Sequence, residues 1–446
     1  MVLSFDSAWN RLNGMNMTNW PLEYRLLLCF VFSLFVGGFL NLAIYRLARN
    51  SRGISPWSSP PTGLPPRTFW DRIPVLGWLR LRRESHYWGV RFWIRPMLLE
   101  LCFAIGVIVL YLYEVDTEGL LLKGFLGEGV AQNPWDPPLF TEVIHRLFAT
   151  HFLLLCLLVV VTFIDIDEKT IPDDVTLPGT LLGLLLVTLN PWILPNIATL
   201  RVGDQMYVDF VHFLSPSAYP AGDPTIRELS LALGCLWLWV VALLPRSWHG
   251  RYGFRRAWKY FWVALFCGRC GRQTMVLLSV GSVLTLGILY VWSLGGTPWV
   301  GLLSSLAGMA CGTALIWSIR LVGRATLKRE AMGFGDVTLM AMIGSFIGWQ
   351  ATLVVFFLAP LAGLVVGLIQ WVMHREDEVP YGPFLCLATL VTLLSWPSLW
   401  NYLAPIFASL GSALPVLLLF CLGLMALLLA VWARIKKNFY QPTNKV

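Results

Sequence analysis

Two acidic clusters abut apolar runs in this 446-residue chain. The first runs Phe163-Ile164-Asp165-Ile166-Asp167-Glu168-Lys169-Thr170-Ile171-Pro172-Asp173-Asp174, and the second runs Met332-Gly333-Phe334-Gly335-Asp336-Val337. A carboxylate in a membrane span costs about 2.5–3.5 kcal/mol at the bilayer centre, so such residues are functional candidates. Two carboxylates brought a few ångströms apart cannot both ionise cheaply and share one proton, which suits acid–base hydrolysis of an amide. A proton or cation relay would use the same pair. The bland reading of the first cluster is a solvated turn, with Pro172 at a helix start and Asp173 capping a helix that begins near Val175. For Gly333 and Gly335 it is a flexible loop. The functional reading is that two glycines let backbone and substrate approach beside Asp336.

Asp165 and Asp336 lie 171 positions apart, so only a folded bundle unites them. Hydrophobic types are 57% of the chain and charged types 13%, against about 25% charged in soluble domains. That composition excludes a soluble globular protein, and 22 Trp and 26 Phe exclude disorder. The expected fold class is all-α: a polytopic helical membrane protein of about eleven transmembrane helices, N-terminus outside and C-terminus cytoplasmic. The apolar segments are 26–47, 97–114, 147–164, 175–195, 228–245, 274–293, 299–319, 337–348, 351–373, 384–402 and 405–433. Only Gly348-Trp349-Gln350 divides the eighth from the ninth. The first segment reads as an anchor, since no small-residue cleavage site follows it.

Alternating eleven spans from an outside start puts 27 of the 33 Lys and Arg inside, the bias that sets membrane orientation. The net charge of +8 is thus read as cytoplasmic loops and not as a nucleic-acid surface. Both Asp165 and Asp336 then fall on the inside face. The expected organisation is a short outside N-terminus over 1–24, a helix pair with a basic cytoplasmic loop over 25–114, and an outside connector over 115–145. A helical bundle over 146–434 with an inserted region around 200–330, and a basic tail over 435–446, complete it. The outside connectors 115–145 and 196–226 read as irregular. The inside loop 246–273 carries Trp258-Lys259-Tyr260-Phe261-Trp262, suited to the membrane surface. The nine Cys are scattered and mostly sit in apolar runs, so no disulfide framework is expected.

These motifs resemble those of the type IV prepilin peptidase family, membrane aspartyl proteases with a Gly-x-Gly-Asp signature that cleave and N-methylate pilins. The family's first motif is matched by Asp165, Ile171-Pro172-Asp173, Thr176, Leu177 and Pro178, and its second by Gly333, Gly335, Asp336 and Leu339. A later run is matched by Pro380-Tyr381-Gly382-Pro383-Phe384-Leu385, and an entry helix by Gly37 through Leu47. Asp71 through Leu79 and Arg95 through Glu100 match its loop and second span. The resemblance implies catalytic Asp165 and Asp336, supported by Gly333, Gly335, Pro172 and Asp173. It also implies a prepilin or pseudopilin substrate with a basic leader, a multi-pass location in the bacterial inner membrane, and S-adenosylmethionine as donor for any methylation. The acidic Glu376-Asp377-Glu378 could attract the leader.

The departures are in the loop. Where the family carries two Cys-x-x-Cys pairs, a zinc site, this chain has Pro60, Gly63, Ser85 and Trp88. No metal is expected there, and the lone Cys267-x-x-Cys270 supplies two ligands of four. The loop is expected either to be ordered instead by packing of Trp57, Phe69, Trp70, Trp78, Trp88 and Trp93 against the membrane surface or the bundle, or to remain mobile. Thr338 replaces a family Lys. A catalytically inactive secretion scaffold, or an ion-coupled transporter using Asp165 and Asp336, are the competing classes.

Overall fold

The structure is a computed structural model that describes residues 20–50, 53–60, 63–121, 134–136, 138–202, 205–244, 259, 263, 271–327, 332–372 and 380–439. The Cys267/Cys270 pair, the 258–262 aromatic cluster (Lys259 aside), the acidic run 376–378, most of the N-terminal stretch 1–24 and the last residues of the tail lie outside them. The chain divides into two compact units, 1–119 and 120–446.

In the first unit, α1 (Leu22–Leu47) packs along α2 (Ile94–Tyr111). Gly37 permits this: a Cβ there would meet the Glu100 Cα at 3.0 Å. Glu100 is buried and saturated. It accepts hydrogen bonds from Asn41 Nδ2 (3.0 Å), Trp78 Nε1 (2.8 Å) and the Val75 N–H (2.6 Å). Val75 sits at φ 62°, ψ −58°, the centre of a tight turn in which the Leu76 N–H donates to the Pro74 carbonyl at 2.6 Å. Such backbone persists only where surroundings fix it, and Glu100 does so here.

The described residues of the loop between these helices are held largely by charge. Arg67 donates to Glu84 Oε1 (3.0 Å) and Oε2 (2.6 Å), and to the Ser55 (2.5 Å) and Ser58 (2.9 Å) carbonyls. Asp71 caps Thr68 and pairs with Arg83 at 2.8 Å and Arg80 at 3.3 Å. Of the six aromatics expected to order the loop, Trp78 is in the core with Tyr45, Ile54 and Leu81, and Trp88 and Trp93 pack on that cluster. Trp57 stacks on Phe39 at 5.9 Å. Phe69 and Trp70 are 75% and 60% exposed, so they do not pack within the unit.

The second unit holds α3 (Phe140–Glu168), α4 (Asp173–Leu189), a β1–β2 hairpin (Asn196–Val202, Gln205–Phe210), α5 (Ile226–Leu243), α6 (Arg272–Leu294), α7 (Gly296–Leu327), α8 (Phe334–Val372), α9 (Gly382–Leu410) and α10 (Leu414–Phe439). The hairpin corrects the expectation of a wholly irregular 196–226. It pairs antiparallel, from Asn196 opposite Phe210 to Val202 opposite Gln205. α8 is broken at Gly348, whose φ of 74° and ψ of 170° are not helical. A straight 39-residue helix would run roughly 58 Å. The eight residues from 373 to 380 reach back roughly 28 Å at most. Since Gly333 and Pro380 line one cleft, the second half of α8 folds back on the first. Among the described residues ten long helices, one of them broken, thus correspond to the eleven expected segments. Nine among the described residues are long and apolar enough to cross a membrane. α4, with 17 residues, is shorter.

The helices at the centre touch backbone to backbone. A Cβ on Gly308 would strike the Gly344 carbonyl oxygen, one on Gly344 the Gly308 oxygen, and one on Gly312 that of Met340. Small residues allow this approach where lipid supplies no hydrophobic drive between helices. α10 buries none of its apolar stretch, and Phe420 and Trp432 face outward, as suits a lipid-facing helix.

Candidate active site

α3 ends one turn beyond Asp165. Lys169 takes a left-handed conformation (φ 53°, ψ 34°), and its N–H donates to the Asp165 carbonyl at 2.8 Å. The chain then turns through Thr170–Pro172. Pro172 is the residue before α4, and Asp173 and Asp174 occupy the first helical turn, where the dipole favours acids. Asp173 therefore does not cap a helix beginning at Val175. Its Oδ1 accepts the Thr338 hydroxyl at 3.3 Å instead.

α8 begins on the same cleft. Asp336 is in its first turn, and its Oδ2 accepts the Gly333 N–H at 3.1 Å. Asp165 Oδ2 accepts the Gly382 N–H, at the start of α9, at 3.0 Å. Both carboxylates are buried, 4% and 7% exposed, yet both line a cleft of about 520 Å³. They are near enough for the charge of one to act on the other.

Two glycines close the arrangement. A Cβ on Gly335 would meet the Ile171 Cβ at 2.6 Å, and one on Gly382 would meet Asp165 Oδ2 at 2.5 Å. The second and third sequence runs are thereby each tied to the first. Gly335 lies on Ile171, Thr338 bonds Asp173, and Gly382 bonds Asp165. A Cβ on Gly333 would find Asp336 Oδ2 at a looser 3.3 Å.

Asp165, Asp173, Gly333, Gly335 and Asp336 share the cleft; Pro172 shapes the turn without lining it. Asp167 and Asp174 are exposed and do not line it. Sequence reading placed Arg320 at the start of a loop, but α7 continues to Leu327. Buried at 7% exposure, Arg320 lays its guanidinium over the Phe334 ring at 5.3 Å, within electrostatic range of Asp336. A lone Arg following the apolar Ile316–Ile319 stretch was the available signal. Tyr381 also lines the cleft. Among the described residues no group of three or more His, Cys, Asp or Glu could hold a metal ion. At the loop positions where the family would bind zinc, Pro60, Gly63, Ser85 and Trp88 offer no thiolate, so that group does not fit.

Residues 31–114 match the bacterial peptidase A24 N-terminal domain, and residues 273–368 match the type IV leader peptidase family. The second match contains Asp336 but not Asp165 or the 380–385 run. A prepilin leader peptidase/N-methyltransferase of Aeromonas salmonicida is 35% identical over 104 residues, 23% of this chain and 35% of the relative. One of Legionella pneumophila is 30% identical over 125 residues, 27% of this chain and 43% of the relative. One of Pseudomonas aeruginosa is 29% identical over 110 residues, 22% and 38%. The chain thus spans only about a third to two-fifths of the length of these relatives. No solved structure matches. The two matches thus fall in order on one chain, and the Gly-x-Gly-Asp motif lies inside the second, so the chain is similar to the type IV leader peptidase family in both regions.

Proposed function

We propose that the chain is a membrane aspartic endopeptidase that removes the basic leader from type IV prepilins or type II secretion pseudopilins. The observation that carries this reading is the pair Asp165 and Asp336, buried yet opening on one cleft, each held by a single backbone N–H. Those bonds use Oδ2 and leave Oδ1 of each carboxyl for water and substrate. With one proton between them, the ionised member takes a proton from water while the neutral member polarises the scissile carbonyl. The two titrate as a pair.

The charge count supports an outside N-terminus, a cytoplasmic C-terminus and a cytoplasmic cleft in a bacterial inner membrane. A substrate helix held in the bilayer would then meet the cleft just below its leader. A reporter active only outside should stay dark when fused after Arg434; a bright fusion would invert this orientation.

The test is cleavage. Membranes containing the chain are incubated with a prepilin, and the mature N-terminus is read by mass spectrometry. Asp165→Asn and Asp336→Asn should each abolish cleavage while the protein still accumulates. Near-normal turnover by either would refute the pair. The same product reports on methylation, as a species heavier by one methyl group. In residues 20–119 the buried carboxylates Asp71, Glu84 and Glu100 are already engaged by Arg or N–H donors. Glu114 is buried there as well, and the proposal ends at cleavage.

A further inference from the structure

Tyr381 stands directly before α9, with its carbonyl accepting the Phe384 N–H at 3.0 Å and the Leu385 N–H at 3.3 Å. Its backbone is thereby fixed, and the next residue's N–H holds Asp165. Its side chain lines the cleft that Asp165 and Asp336 share. Its hydroxyl oxygen is buried and has no hydrogen-bond partner among the described residues. A buried hydroxyl without a partner is costly, and one on a reactive cleft is a donor awaiting an acceptor. Burial first, and then the Asp336 charge, push the phenol up, which keeps it an O–H donor at neutral pH. The neutral carboxyl polarises the carbonyl but gives its proton up in the reaction, so neither carboxyl is a donor that keeps its proton throughout. The acceptor that gains charge during peptide cleavage, and so gains most from such a donor, is the scissile carbonyl oxygen.

We propose that the Tyr381 phenol donates a hydrogen bond to the scissile carbonyl oxygen and to the tetrahedral intermediate formed from it. The proposal rests on the peptidase reading. Water oxygen bonds to the carbonyl carbon and loses a proton to the ionised carboxylate. The carbonyl oxygen takes the proton of the neutral carboxyl, giving a gem-diol. A proton then passes to the amide nitrogen, the C–N bond breaks, and one diol proton returns to a carboxylate. The phenol keeps its proton throughout and stabilises the oxygen on which charge develops.

The test uses the full-length chain in lipid nanodiscs and a synthetic prepilin with a basic leader. Tyr381→Phe removes one oxygen and keeps the ring. Loss of a donor of this kind costs up to about a hundredfold to a thousandfold in kcat; with a proton also delivered to the same oxygen, a loss of about tenfold to a hundredfold is expected, with KM nearly unchanged. A hydroxyethylene isostere of the scissile bond should lose affinity by the same factor, which a merely structural role would not produce. Unchanged kcat, or an effect confined to KM, would overturn the proposal. If Tyr381→Phe does not accumulate, site-specific difluorotyrosine at 381 should add an alkaline limb to the kcat profile, and its absence is equally fatal. Asp165→Asn separates the two ideas. Cleavage lost with Asp165→Asn but intact with Tyr381→Phe removes only the phenol, whereas a folded wild type that does not cleave removes both.

Discussion

The Arg67–Glu84 pair is expected to clamp the loop that would elsewhere be held by a metal. The Arg67 side chain is 2% exposed and that of Glu84 1%. The guanidinium gathers both carboxylate oxygens and the Ser55 and Ser58 carbonyls, and Trp88 Nε1 donates to the same carboxylate at 3.2 Å. These contacts join residues 55–58, just before Pro60 and Gly63, to 84–88, which contain Ser85 and Trp88. Removing one partner of a buried ion pair costs about 3–5 kcal/mol, because the other charge is stranded. Arg67→Met should therefore raise the opened fraction of the loop more than about a hundredfold. Arg67→Lys should fall between, since an ammonium cannot reproduce the planar fork.

The assay is limited proteolysis of the full-length chain in detergent. Cleavage tracks the open population when reclosing is fast. Arg67→Met and Glu84→Gln should each expose the 48–95 loop to protease. The double variant Arg67→Met/Glu84→Met should lose less than the sum, as both charges leave together. A strong chelator should leave the wild-type loop as resistant as before. A loop opened by chelation, or one indifferent to Arg67→Met, would refute the reasoning.

Three further outcomes are expected. Gly335→Ala and Gly382→Ala should each abolish cleavage, the first by pushing Ile171 away and the second by displacing the Asp165 carboxylate, whereas Gly333→Ala should be milder; equal effects in a turnover assay would count against this packing. Glu100→Gln turns an amide N–H₂ either toward the Val75 N–H, which Oε2 accepts, or toward the Asn41 and Trp78 donors, which Oε1 accepts, and should destabilise the chain by about 1–3 kcal/mol in a melting assay. His212 is buried among Trp135, Phe210 and Tyr219, accepts the Leu214 N–H at 3.3 Å on Nδ1, and is pushed down to about 4 from 6.5 by burial. The folded state thus resists a proton that the unfolded state takes, so on the order of 3 kcal/mol of stability is lost as pH falls from about 6.5 to 4; His212→Gln should flatten that slope in melting curves taken across the range.

What could be read from the sequence was what lipid makes expensive or what backbone geometry restricts. Asp165 and Asp336 were visible because acids at apolar spans need a reason. The break at Gly348 was visible because Gly punctuates a run otherwise too long for one span, and its φ of 74° is the conformation Gly permits. The hairpin at 196–210 had a signal in Gly203-Asp204 between two short runs, but a neighbouring Pro195 and polar residues made a connector equally plausible on pattern alone. Arg67 and Glu84 were each ordinary loop charges. Their pairing spans 17 positions and depends on how Ser55 and Trp88 fold around them, so no local rule could single them out. Tyr381 was hidden for the opposite reason: a Tyr at the end of a span is what a membrane interface already favours. Only its position, one residue before the N–H that holds Asp165 and with its oxygen unpaired on the same cleft, separates a reactive phenol from an interfacial anchor.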